Sequence, residues 1–176
     1  MKQLLLLLFF MFTLLESSAQ EALVIEGYGE IYLSENDAIM LDLDKEHNAI
    51  FDVMITSREK GQVNPLLNAV ARYINLHAAK GLSVDKMNIV VVFHGRATKD
   101  GLNNKVYKSN VGEDNPNKEL IEKLNDVGVE FYVCAQSLNA YNFMESDYLK
   151  QVKISPSAMT ALIYFQEKGY HLIDFN

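Results

Sequence analysis

Apolar residues along this chain gather into two kinds of run. Short dense runs of strand length occupy residues 49–55, 87–93, 129–134 and 170–175, and a shorter run at 152–154 makes a fifth. Ile89-Val90-Val91-Val92-Phe93 is continuous rather than alternating, which suits a central strand of a parallel sheet covered on both faces. Between these runs lie three stretches with apolar residues at helical spacing, and each is opened by proline and closed by glycine. Asn64-Pro65 leads to Gly81, Asn115-Pro116 to Gly128, and Ser155-Pro156 to Gly169. Asn or Ser caps free N–H groups, proline at the first helical position forfeits no hydrogen bond, and glycine accepts the left-handed exit. The expected buried stripes are Leu66, Leu67, Val70 and Ile74 in the first helix, Leu120, Ile121, Leu124 and Val127 in the second, and Met159, Leu162 and Ile163 in the third. A further short helix is expected within 138–144. Strand alternating with helix to the end of the chain predicts an α/β fold: a three-layer α/β/α sandwich whose mostly parallel sheet has about five strands.

Two segments break this rhythm. Residues 94–115 form a connection of 22 residues rich in Asn, Gly and Lys, where such loops usually hold about 2 to 6, and a short helix is expected around 102–107. At the start, Lys2 precedes an apolar run at residues 4–15 and then Ser17-Ser18-Ala19, the layout of a cleavable secretory signal over 1–19 with cleavage after Ala19. The run is shorter than the roughly 18 to 20 apolar residues that span a bilayer. The division expected is therefore a signal at 1–19, an N-terminal arm or hairpin at 20–47 and the α/β domain at 48–176, with a periplasmic or secreted destination and no membrane attachment once the signal is removed.

Net charge narrows the partners. The chain carries −7 at pH 7, and losing Lys2 and Glu16 with the signal leaves that value unchanged. An acidic balance argues against nucleic acid and anionic membranes as general partners, since both call for basic patches. A single cysteine, Cys134, excludes an internal disulfide and leaves its thiol buried, reactive or paired between chains.

In open α/β sheets ligands gather beyond the carboxyl ends of strands. That rule selects Thr56 and Ser57, then His94-Gly95-Arg96, then Cys134-Ala135-Gln136-Ser137, then Ser155. Cys134 ends an apolar strand and precedes a short helix, where free N–H groups favour a thiolate; the other reading is a buried structural thiol, cysteine being among the most buried residue types. His94 reads either as a base beside Cys134 or as a structural histidine. Gly95, Arg96, Gln136 and Ser137 are the candidate substrate-binding residues. Arg96, Lys99, Lys105 and Lys108 read either as an anion-attracting rim or, since Asp100, Glu113 and Asp114 dilute them, as a solvated face. His47, His77 and His171 show no metal-ligand spacing, so neither metal nor cofactor is expected. Gly-x-Gly-x-x-Gly, Gly-Lys-Ser/Thr, Gly-x-Ser-x-Gly and Cys-x-x-Cys are all absent, which leaves common nucleotide, hydrolase and thioredoxin chemistries unsupported.

Val90-Val91-Val92-Phe93-His94-Gly95, Asn115-Pro116-Asn117 and the stretch from Gly128 to Ser137, together with Ile25-Glu26-Gly27-Tyr28-Gly29 and residues 64–77, resemble the DsrE/DsrF-like family and in particular its exported bacterial branch. The resemblance implies a homo-oligomer, trimeric or hexameric. It also implies a cysteine at Cys134 that carries a persulfide, and it departs at Ala135, where relatives have glycine. Two functions follow as expectations: a sulfur-handling or thiol-reactive protein with Cys134 as carrier, exchanging with an exported protein or a small thiol or sulfur compound, or a non-catalytic oligomeric binding protein that uses the strand-end pocket.

Overall fold

The structure, a computed structural model, describes residues 23–175. The signal expected over 1–19 lies outside the described residues. Five strands build one sheet: β1 (His47–Val53), β2 (Met87–Phe93), β3 (Glu130–Cys134), β4 (Val152–Ser155) and β5 (His171–Asp174). They lie in the order β4-β3-β2-β1-β5, and every neighbouring pair is parallel. Parallel neighbours need crossovers, which are supplied by helices α1 (Pro65–Ala79), α2 (Asn104–Val111), α3 (Lys118–Asp126), α4 (Ala135–Ala140) and α5 (Ala158–Glu167).

The two faces of the sheet are covered unequally. On one, Phe51, Val53, Ile89, Val91, Phe93, Phe131 and Val133 pack beneath Leu67, Val70 and Ile74 of α1 and Leu120, Ile121 and Leu124 of α3, with Tyr107 of α2 joining them. On the other, Ile50, Val90, Val92 and Cys134 meet Ala158, Ala161 and Phe165 of α5, with Leu162, Tyr132 and Tyr170 packed against them. The stripe expected on this helix is therefore corrected in part: Leu162 packs against the sheet, but Met159 and Ile163 face solvent at 72% and 58% exposure. α5 is apolar on nearly every side, so periodicity does not select a face, and the alanines let its backbone approach the strands.

Element starts are also corrected. Of the three prolines only Pro65 takes the first helical position, behind an Asn64 side chain that accepts from the Leu66 N–H at 2.8 Å. Pro116 and Pro156 each stand one residue before the N-cap, which is Asn117 for α3 and Ser157 for α5. Asn115 instead accepts from the Asn117 N–H at 2.9 Å, closing a turn before the helix. α4 begins at Ala135 rather than within 138–144, because Cys134 itself is the cap residue. In the long connection a 3-10 helix, Gly95–Gly101, comes first; α2 follows where the Asn103 side chain accepts from the Val106 N–H. β1 runs over 47–53, two residues earlier than expected, because the Met54 and Ile55 carbonyls bond to Ala97 N and Asn64 Nδ2 instead of a strand.

Residues 23–46 contain neither strand nor helix, yet their first part is built into the core. Ile25 is 1% exposed. Its N–H donates to Asn75 Oδ1 at 2.8 Å, and Asn75 Nδ2 donates to the carbonyls of Ile25, Tyr28 and Gly29. Gly29, at φ +61°, lies so close to α1 that a Cβ there would sit 2.3 Å from the Arg72 nitrogen.

Candidate functional site

Strand register draws the candidate residues into one row. Cys134 pairs with Ser155, Val133 with Phe93, and Asp52 with both Val92 and Asp174. His94, one step beyond β2, is thus carried to the level of Cys134 on the neighbouring strand, about 4.8 Å away across the sheet. Alternation places Asp174, Asp52, His94, Cys134 and Ser155 on the α5 side of the carboxyl edge, one from each strand or its immediate exit.

Around the sulfur, hydrogen bonds outweigh burial. Cys134 is 5% exposed, and burial alone pushes its thiol up. The Ser137 N–H and hydroxyl, with the N–H groups of Ala158 and Gln136, favour the thiolate more strongly and hold the thiol below its ordinary value of 9.0. The donors come from both α4 and the start of α5. Ser137 does a second job, since its Oγ accepts from the Gly95 N–H at 3.2 Å. One hydroxyl therefore joins the β2 exit to the cysteine turn. Gly95 sits at φ +52°, and a Cβ there would lie 2.9 Å from Met54 Cγ.

His94 Nε2 donates to Asp52 Oδ1 at 2.6 Å. That bond raises the imidazole above its ordinary 6.5; burial opposes it, and the charges of Asp52, Cys134 and Asp174 add to it. Gln136 is exposed and donates through Nε2 to the Pro156 carbonyl at 3.1 Å, tying α4 to the turn before α5. Arg96 is exposed, and its side chain makes no hydrogen bond or ion pair among the described residues. Thr56 and Lys99 do not join the row. They converge on Asp100, a wholly buried carboxylate, so Lys99 is not part of a solvated face. Among the described residues no group of three His, Cys, Asp or Glu side chains is placed to hold a metal ion.

A model of the DsrE/DsrF-like family matches residues 52–175, a span that runs from Asp52 through all five residues of the row. The chain belongs to the DsrE/DsrF-like family. Two solved structures share the fold of this DsrE/DsrF-like chain. A protein of unknown function, MTH1491 from Methanobacterium thermoautotrophicum, is 19% identical with a TM-score of 0.55, covering 73% of this chain and 99% of its own. The ychN protein from E. coli is 13% identical with a TM-score of 0.54 and the same coverage, 73% and 99%. No curated protein matches the chain.

Within this DsrE/DsrF-like site, sequence reasoning missed Asp52, Asp174 and the N–H of Ala158. Asp52 left a trace: a carboxylate inside the run Ala-Ile-Phe-Asp-Val, where a strand this buried needs a partner for it. Ala158 left none, because its contribution is a backbone N–H delivered from 24 positions along the chain.

Proposed function

We propose that this protein is an exported sulfur carrier in which Cys134 holds a persulfide. The observation that carries the proposal is the place of Cys134, at the N-cap of α4 and level with a His94 whose Nε2 donates to Asp52 Oδ1 at 2.6 Å, surroundings that hold the thiol below its ordinary value although burial opposes it. The thiolate attacks the outer sulfur of a persulfide or comparable sulfane donor. A Cys134–sulfur bond forms, the donor's sulfur–sulfur bond breaks, and the donor's remaining thiolate departs with the electron pair. His94, held toward its charged form by Asp52, stands beside that departure and supplies positive charge. Passing the outer sulfur to an acceptor thiol reverses these bond changes and needs no added oxidant.

Export rests on the signal layout of residues 1–19, and a trimer or hexamer on family resemblance. The partner is then an exported protein or a small thiol or sulfur compound. We assign the meeting with an anionic donor to Arg96, which is exposed next to Gly95. Mass spectrometry of protein isolated without reductant, before and after a sulfane-sulfur donor, tests the reading. One added sulfur on Cys134 is expected, and its absence in C134S. A Cys134 that gains no sulfur and resists alkylation in the folded protein sinks it.

A further inference from the structure

Among the described residues, Asp100 is the one buried ionic group that the sulfur chemistry does not use. Its carboxylate is 0% exposed and accepts from Thr56 Oγ1 at 2.8 Å, Asn64 Nδ2 at 2.7 Å and Lys99 Nζ at 2.8 Å. Its backbone carbonyl accepts from Asn115 Nδ2 at 2.8 Å. Lys99 also donates to Thr56 Oγ1 at 2.9 Å and Tyr107 at 3.3 Å. Asn64 caps α1, so a single carboxylate gathers the exit of β1, the start of α1 and the 3-10 helix Gly95–Gly101. A charge this deeply buried is costly unless every lone pair is satisfied, and a device of that cost invites a reason.

The reason lies at the other end of the same helix. Its first residue is Gly95, whose N–H donates to Ser137 Oγ. Between the two ends the turn is held tightly: Thr98 Oγ1 donates to the Gly95 carbonyl at 2.7 Å, and the Ala97 N–H donates to both Met54 and His94 carbonyls at 3.1 Å. Ser137 is also the third residue of α4, the helix that Cys134 caps, so the hydroxyl anchored on Gly95 stands one turn from the thiol. Displacing the helix at Asp100 therefore moves the group that anchors the hydroxyl beside Cys134.

We propose that the Lys99–Asp100 pair is a positioning device for Cys134: it fixes the turn carrying Gly95 and, through Ser137, sets how strongly the thiolate is stabilised. The inference deepens the sulfur-carrier reading but is measured on the thiol alone. As the chain has one cysteine and nine tyrosines, thiolate ultraviolet absorbance against pH, taken as the difference from C134S so that tyrosinate cancels, reports Cys134. S137A is expected to lower the thiolate-to-thiol ratio about tenfold at a given pH, the scale of one hydrogen bond to a charged group. Asp100→Asn puts an amide among donors and is expected to shift the ratio in the same direction. The D100N/S137A double variant is expected to shift it no further than S137A alone, because both act through one hydroxyl. T56V, which removes one donor from Asp100 and keeps its charge, provides the reading should D100N not fold. A folded D100N or T56V with the wild-type titration overturns the proposal, and so does full additivity with S137A. Failure to load sulfur with these shifts intact sinks only the carrier reading.

Discussion

At the scale of single residues, the histidines separate two environments of similar depth. His94 gives its Nε2 proton to Asp52 and is raised above 6.5. His77, stacked on Tyr73 at 3.8 Å, is lowered, by burial first, against the bond to the Tyr73 carbonyl and with the help of His47. Ring signals followed by NMR are expected to place His94 above 6.5 and His77 below it, with D52N returning His94 toward or below the ordinary value. The sign for stability follows. A raised folded-state histidine contributes stability that is fully present below 6.5 and is lost as pH rises through the folded value. The stability difference between wild type and D52N in urea is thus expected to be largest below pH 6.5 and to shrink above it; a difference that grows with pH contradicts the assignment. C134S is expected to lower His94 slightly, since the thiolate charge also favours the imidazolium.

At the scale of elements, α5 has the most depending on it. Among the described residues it is the helix that covers one face of the sheet, and its first residue, Ala158, packs in the same cluster as Cys134. The Ser157 hydroxyl caps it by accepting from the Thr160 N–H at 3.0 Å. Ser157→Ala is expected to cost about 1 kcal/mol, the usual worth of such a cap, and to raise the Cys134 midpoint as the start of the helix frays. Urea unfolding and thiol titration of the same variant check both. The strands were legible in the sequence because a buried parallel sheet writes continuous apolar runs, and β2 over Met87–Phe93 agrees to the residue. Helix starts were less legible at Pro116 and Pro156. Proline fixes its own φ but does not say whether it is the last residue outside the helix or the first within it. The burial of α5 was not legible, since its outward Met159 and Ile163 are as apolar as its inward Phe165.

For the whole molecule, the arm before β1 belongs to the same core as the sheet. Ile25 lies under Asn75 and Asn68 accepts from the Gly29 N–H at 2.8 Å. Ile25→Ala is therefore expected to cost about 2 to 5 kcal/mol, the range for deleting a buried aliphatic side chain, read from the midpoint of cooperative unfolding. A loss near zero would mean that the arm is only draped over α1. The sequence showed this segment without its role, because three carbonyls gathered by one asparagine 46 to 50 positions away leave no local pattern. The candidate site divided the same way. Cys134, His94 and Ser137 stand at strand exits and were found by that rule; Asp52, Asp100 and the Ala158 N–H act through pairings that exist only after the strands are ordered.

That ordering has a kinetic meaning. With every strand parallel to its neighbours, no hairpin is available as a first step, and each pairing must wait for a helix to be traversed. The polar row draws one group from each of the five strands or their exits. An acidic thiol at Cys134 is accordingly a property of the finished fold, so a half-formed chain carries an ordinary, less reactive cysteine.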